Sequence, residues 1–295
     1  MKKIGLATAV LFAMTGAHAY QVEVKGQSEF VNTTQSPKNF TGDLQGTYYF
    51  KDVDASKGPL AEAAFLNKAS NVSLAYHYDK YTTPNFNYQN NTGGVKGEAY
   101  FTTPYTGSVP LYTSASYSHT NLDGKDGAED LRGDRYAVEL GAEPTQNFLM
   151  AVGYTNNHNA LDAFDIADNG IASAVVKNNA SAEKHKDFAT ARAKYVGAID
   201  NTNMAIGFEL KGIFNNDAGA YGLKTDLYLN PALSVGMAYT DTSDMNSYYD
   251  HVWGGNVNYF ITPAVSVGAT YTKANAKTDE LPGIETVGLN AKVRF

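Results

Sequence analysis

The stretch NPALSVGMAYT at 230–240 returns as TPAVSVGATYT at 262–272. In the first copy Leu233, Val235, Met237 and Tyr239 alternate with Ser234, Gly236, Ala238 and Thr240; in the second, Val265, Val267, Ala269 and Tyr271 alternate with Ser266, Gly268, Thr270 and Thr272. Successive residues of a strand point to opposite faces, so a period of two gives each copy one apolar face and one face of small or polar residues. Pro231 and Pro263 stand just before the strands, where a missing N–H costs no ladder bond. A looser copy, EPTQNFLMAVGYTNN, lies at 143–157.

The same alternation runs along the chain. Val22, Val24 and Phe30 share a face, as do Leu44, Tyr48 and Phe50; Val72, Leu74 and Tyr76; Tyr136, Val138 and Leu140; Met150, Val152 and Tyr154; Ile206, Phe208 and Leu210; and Val287, Leu289, Val293 and Phe295. Extended over the whole chain, it predicts about fourteen strands, each long enough for the nine to eleven residues of a tilted membrane strand. The connections sort by parity. Those after even strands are short, around Pro104–Pro110, Pro144–Asn147, Asp200–Asn203, Asn230–Pro231 and Thr262–Pro263, whereas those after odd strands are mostly longer and polar, as at 121–134 and 240–250. Short turns on one side and long loops on the other mark an outer-membrane barrel, and an even strand count puts both termini on the short-turn, periplasmic side.

A soluble β-sandwich also alternates; the charges decide between the two. With the large apolar set of each strand on one face, Glu23, Lys25, Glu29, Asp43, Asp79, Lys96, Glu98, Arg135, Glu139, Arg192, Lys194, Glu209, Lys211, Lys224, Asp226, Lys292 and Arg294 all fall on the other. A Lys or Arg facing lipid at the midplane costs roughly 2–4 kcal/mol, so a membrane barrel must purge such residues from its outer face. A sandwich core favours larger, better-packed residues than the Ala and Gly that pad this apolar face. Its strands also end in Tyr48, Tyr78, Tyr154, Tyr239, Tyr259 and Tyr271, at the height of the aromatic girdles of membrane interfaces. The expected fold is an all-β, transmembrane, up-and-down antiparallel barrel over 20–295. The charged set faces its lumen, and its outside faces lipid.

Residues 1–19 carry the marks of an export signal: Lys2 and Lys3, an apolar run from Ile4 to about Ala13, and Ala17-His18-Ala19 as an A-x-A cleavage site. Without Lys2 and Lys3 the net charge goes from −7 to −9. So acidic a chain argues against nucleic acid as a partner, since phosphate binding needs clustered positive charge. With no cysteine, the exported chain holds together by burial or by barrel closure.

YQVEVKGQSEFV, GPLAEAAFLNKASNVS, ARAKYVGAIDNTNMAIGFE, YGLKTDLYLNPALSVG, DHVWGGNVNYFITPAVSVGA and GLNAKVRF resemble the 33-to-36-kilodalton outer-membrane porins of gammaproteobacteria. The resemblance spans nearly the whole chain and is strongest at the turns and in the C-terminal third. It implies a monomeric fourteen-stranded barrel that passes water and small solutes, with a role in host-cell contact in that family. The final amphipathic strand ending in Phe295 matches the signal by which such barrels meet their assembly machinery.

A barrel of this size lies between side-chain-filled eight-stranded barrels and open sixteen-stranded porins, so its bore is expected to be narrow. Same-strand neighbours Glu23 and Lys25, Lys96 and Glu98, Glu209 and Lys211, and Lys224 and Asp226 suit an internal ion-pair lattice. Lys194 is expected near Glu209, and Glu23 beside Lys292 or Arg294 where the barrel closes. Two segments break the strand rhythm. In 51–70, Pro59 suits the first turn of a helix with Ala61, Ala64, Phe65 and Ala69 on one side and Glu62 beside them. In 161–187, Ala163, Phe164, Ala167 and Ile171 recur at helical spacing, with Asp162, Asp165 and Asp168 on a wet face. Both are expected to fold into the lumen and constrict it, 51–70 from the periplasmic end and 161–187 from outside.

Two other functions compete. One is a surface adhesin that contacts host proteins and uses the barrel as a scaffold. The other is an outer-membrane hydrolase. His77, His119, His158, His185 and His251 show no Ser or Asp spacing that signals a triad, so no catalytic residue is assigned. Asp123, Asp126 and Glu129 in DGKDGAED lack the Ca²⁺-loop pattern, so neither a metal nor a cofactor is expected.

Overall fold

In the computed structural model the described residues are 19–33, 36–82, 87–125, 130–172, 186–216, 219–243, 249–278 and 283–295. The expected export signal lies outside them except for Ala19, and so do residues 126–129 of DGKDGAED and 173–185 of the second rhythm-breaking segment. The described residues form fourteen strands: β1 (Ala19–Thr33), β2 (Ser36–Asp54), β3 (Asn71–Thr82), β4 (Asn87–Phe101), β5 (Leu111–Lys125), β6 (Leu131–Thr145), β7 (Phe148–His158), β8 (Lys186–Ala198), β9 (Ala205–Phe214), β10 (Gly219–Asn230), β11 (Leu233–Thr242), β12 (Tyr249–Thr262), β13 (Val265–Ala276) and β14 (Ile284–Arg294). Each pairs antiparallel with its neighbour in sequence, and β1 pairs with β14 from Glu23↔Arg294 to Thr33↔Ile284, so the barrel is closed. Closure leaves no unpaired edge, the condition a sheet must meet in hydrocarbon, where no water can satisfy a backbone amide.

The exterior carries the apolar set. Leu74, Leu140, Met150, Val152, Met237 and Leu289 are all more than half exposed, with Leu140 at 66% and Val152 at 67%. A soluble monomer does not leave an apolar belt of this extent in water, whereas a bilayer solvates it. Inside, Thr41, Thr92, Ser118, Ser266 and Thr286 are buried on the opposite face. Among the described residues no helix is long and apolar enough to cross a membrane.

Two expectations change. The loops at 121–134 and 240–250 are shorter than the polar sequence suggests. β5 and β6 stay paired through Asn121↔Arg132 and Leu122↔Leu131, and β11 and β12 through Thr240↔Val252 and Asp241↔His251. A hairpin ladder needs backbone partners, not apolar side chains, so it continues past the point where the apolar belt ends. Nor is 51–70 one helix. β2 runs on to Asp54; a 3-10 turn (Leu60–Glu62) and the four-residue helix α1 (Ala63–Leu66) follow. The segment touches protein on several sides, so no single apolar stripe organises it. The second segment is helical as α2 (Ala163–Asn169), and its Ala163, Phe164, Ala167 and Ile171 are buried.

The lipid-facing assignment has a direct test. Val152→Arg, near the middle of β7, is expected to cost roughly 2–4 kcal/mol, whereas Thr190→Arg on the inner face should cost less than 1 kcal/mol. Urea unfolding of protein refolded into vesicles measures both; equal losses would count against the assignment.

Candidate functional site: the occluded lumen

The loop that leaves β2 turns inward instead of lying across the barrel's rim. Phe65 packs among Tyr112, Leu149, Val196 and Tyr228, all on the inner wall. Ala63 and Ala69 pack on Tyr20, Tyr49 and Val53, and Leu60 on Phe260. The Leu60 N–H donates to the Pro231 carbonyl at 2.8 Å, so the segment reaches from β2 to the turn before β11. Arg294 fastens it there. Its Nη1 donates to the Leu60 carbonyl at 2.9 Å, its Nε to Glu23 Oε2 at 2.8 Å, and its guanidinium lies over the rings of Tyr20 and Phe260. Only 2% of this arginine is exposed.

Glu62 holds the other side. Its Oε1 accepts from Tyr228 Oη at 2.7 Å, and its Oε2 lies 2.8 Å from Lys194 Nζ. Burial pushes this carboxyl up, but Lys194 and the two hydrogen bonds outweigh burial and hold it below the usual carboxylate range. The contact therefore contributes fully above the ordinary carboxylate pKa and is lost only as the pH falls through the lowered one. Lys68, with φ +50°, ends the segment and pairs with Glu143 at 2.8 Å.

α2 enters from the end with the longer loops and lies against β2, β3 and β4. Asp162 caps it, accepting from the backbone N–H groups of Phe164 and Asp165, and faces Arg135 at 3.1 Å. Gly94 makes room for the helix: a Cβ there would sit 3.0 Å from Ala163 Cβ and 3.1 Å from the Phe164 ring. At the far end Gly170 adopts φ +84°, and a Cβ would lie 2.5 Å from Glu29 Oε1. This lets the Ile171 N–H donate to Glu29 Oε2 at 3.2 Å. Lys25 Nζ donates to the Ala167 carbonyl and lies 3.9 Å from Asp168.

The charges on the inner wall pair with one another and with the inserted segments, which rearrange the partners. Glu23 takes both Lys292 and Arg294 at 2.8 Å, Lys96 pairs with Glu98 at 2.8 Å, and Lys211 lies 3.3 Å from Glu209. Lys224 is only 3.9 Å from Asp226. Lys194 stands opposite Glu209 in register but turns to Glu62, and Arg192 takes Glu209 at 2.8 Å instead. Lys25 likewise leaves Glu23 for α2. In both cases a nearer acceptor arrives from a segment that strand spacing cannot place. Glu139 lies 3.8 Å from Arg192. Asp43 is on the inner face but buried, its Oδ1 2.6 Å from His77 Nδ1, while Asp79 lies 2.8 Å from His77 Nε2. Pro59 caps the 3-10 turn.

Sequence reasoning passed over Tyr112 and Tyr228, which hydrogen-bond Glu98 and Glu62 from the inner wall. Their parity, next to outward Leu111 and Leu227, was the available signal; a Tyr in a barrel strand reads first as a girdle residue. His77 was legible in the same way, between inward Asp43 and Asp79.

Between the two inserted segments lies a chamber of about 300 Å³, reached by Glu62 from one side and by Asp168 and Gly170 from the other. Its open wall includes Ser234, Ala238, Gly254, Asn256, Thr270 and Thr272, the small inner faces of the repeated strands and of β12 between them. A second chamber of about 170 Å³ lies beside α2. Among the described residues no cluster of His, Asp and Glu is arranged to hold a metal.

A closed transmembrane barrel with a charged interior has the architecture of the channel-type barrels. The comparisons narrow the class. The family model described as "Putative general bacterial porin" matches residues 1–295, and the chain belongs to that family. It is similar to the outer membrane protein Omp33 of Acinetobacter baumannii, a crystal structure, at 52% identity over 95% of this chain and 100% of that one, with a TM-score of 0.70. It is also similar to the COG4313 outer membrane channel of Pseudomonas putida F1, at 12% identity, 95% and 98% coverage and a TM-score of 0.43. A Pseudomonas aeruginosa FadL homologue matches at 9% identity, 97% and 92% coverage and a TM-score of 0.49. No curated protein matches the chain. It is a porin of the bacterial outer membrane.

Arg294 ties the barrel seam to the inserted segment, so Arg294→Ala should loosen both. Removing one partner of a buried pair costs about 3–5 kcal/mol, and Lys292 still serves Glu23, so a loss near the lower figure, about 3 kcal/mol, is expected in urea unfolding. An unchanged midpoint would sink the role given to this residue.

Proposed function

We propose that the chain conducts water and small polar solutes through a narrow lumen that two inserted segments constrict. The observation that supports this is the chamber enclosed between Glu62 and Asp168 inside a closed barrel. Glu23, Lys25, Asp43, Lys96, Glu98, Arg135, Glu139, Arg192, Lys194, Glu209, Lys211, Lys224, Asp226, Lys292 and Arg294 make up the polar wall. Of these, Asp43 is buried against His77 and Arg294 beneath Leu60, and both act as supports. The small residues along β11 to β13 leave the passage on that side, because α2 lies against β2, β3 and β4.

The termini face the periplasm in this reading, and 55–70 narrows the periplasmic mouth. The chain performs no catalysis, and Phe295 engages the assembly machinery during insertion. The ion pair of Lys194 with Glu62 and the hydrogen bond from Arg294 to the Leu60 carbonyl hold the periplasmic constriction closed, since Lys194 and Arg294 are anchored on the barrel wall.

Planar-bilayer recording and liposome swelling test this. Discrete small conductance steps are expected from the intact chain. Deleting 57–68 should raise swelling rates several-fold, and Glu62→Gln, which leaves the segment in place, should raise them less. Electrical silence from folded protein, or swelling unchanged by the deletion, would count against the constricted channel.

A further inference from the structure

The charge of the chamber differs from that of the chain around it. The protein carries a net charge of −7. Yet Lys25, Lys96, Lys211 and Lys224 line the chamber together with Arg192, Lys194 and Lys292, against Glu62, Asp168, Glu209 and Asp226. Seven cations and four carboxylates line it; Glu23 and Glu98, which pair with Lys292 and Lys96 at 2.8 Å, are not among the lining residues. The neighbouring chamber beside α2 is balanced: Lys96, Arg135, Arg192 and Lys211 against Glu139, Asp162, Asp165 and Asp168.

Lys96, Arg192, Lys211 and Asp168 line both chambers, so a solute crossing between them passes these four groups. Three are cations. Lys96 is held by Glu98 at 2.8 Å, but much of the remaining pairing in the chamber is shared or long. Glu209 is shared between Arg192 at 2.8 Å and Lys211 at 3.3 Å, Lys224 is 3.9 Å from Asp226, and Lys25 is 3.9 Å from Asp168. The side chain of Lys211 is 40% exposed and that of Lys224 34%. Asp168, on the last turn of α2 with its side chain 52% exposed, interacts electrostatically with Lys25, Lys96, Lys211 and Lys224 together. A half-hydrated carboxylate among four lysines occupies the place that a dissolved anion would take. In a low-dielectric cleft such an excess of one sign concentrates counter-ions of the other.

We infer that the inner chamber is a site for small oxyanions, carboxylate or phosphate, and that Asp168 is a tethered carboxylate occupying it until a solute anion displaces it. This rests on the channel reading above. Cations are disfavoured in the chamber by the same excess, so the open channel passes anions in preference to cations despite the acidity of the whole chain. The wall of Ser234, Ala238, Gly254, Asn256 and Thr270 opposite supplies room and weak hydrogen bonds without fixing a particular solute shape.

The test is the reversal potential of single channels in a KCl gradient, followed by block of the current with succinate or with phosphate. The intact chain should favour chloride over potassium. Asp168→Asn should raise that permeability ratio at least two-fold, and Asp168→Glu should restore it. Lys211→Gln with Lys224→Gln should lower it below that of the intact chain. Millimolar succinate or phosphate should reduce chloride current, more strongly in Asp168→Asn; block by one anion alone identifies which chemistry the site takes. Circular dichroism and the gel shift of the heated protein check that each variant folds. Channels that favour potassium, or a ratio unmoved by Asp168→Asn, would overturn this inference and leave the channel reading standing. A folded protein that gives no channels at all would overturn both.

Discussion

Everything in this structure depends on one demand of hydrocarbon: every backbone amide must find a partner within the protein, and every strand must show the lipid only apolar side chains. Closure of β1 onto β14 meets the first condition, and the period-two alternation meets the second. Once both are met, the polar half of each strand has nowhere to go but inside. The ionic interior thus follows from the lipid exterior, and the protein needs no disulfide to hold its shape.

A lumen lined with charges is costly to leave half-paired, and the two inserted segments work on that tension. The 3-10 turn and α1 bring Glu62 to Lys194, the Leu60 carbonyl to Arg294, and Phe65 to an apolar ring of Tyr112, Leu149 and Tyr228. α2 brings the Ala167 carbonyl and Asp168 to Lys25, and the Ile171 N–H to Glu29. Each segment completes pairs that the wall alone leaves open, so occlusion and stability share the same contacts. Between the segments loose, partly exposed lysines remain, and there the proposed solute path and the excess positive charge coincide.

Which residues share a strand face was legible because the constraint that fixes it is local. Alternation put Glu23 opposite Arg294 and Lys292, and that pairing is present. It also put Lys194 opposite Glu209, yet the ion pair formed with Glu62, whose position depends on a chain reversal 132 residues earlier in sequence than Lys194. Tyr112 and Tyr228 had inward parity and were still passed over, because a tyrosine's chemistry suits the membrane interface as well as a buried hydrogen bond. Polar loop tips misled in the opposite direction: β5 and β6 continue as a ladder where their side chains no longer signal a strand.

The amino-acid sequence by itself determined the closed, two-sided barrel and its strand count. A period of two needs no knowledge of distant contacts, and lipid punishes every exception. Only the tertiary structure decided which inward charges pair, which are buried under the inserted segments, and where a chamber is left. Those outcomes depend on where Leu60 to Leu66 and Ala163 to Ile171 come to rest against a wall assembled from the whole chain, and no repeating local pattern encodes that position.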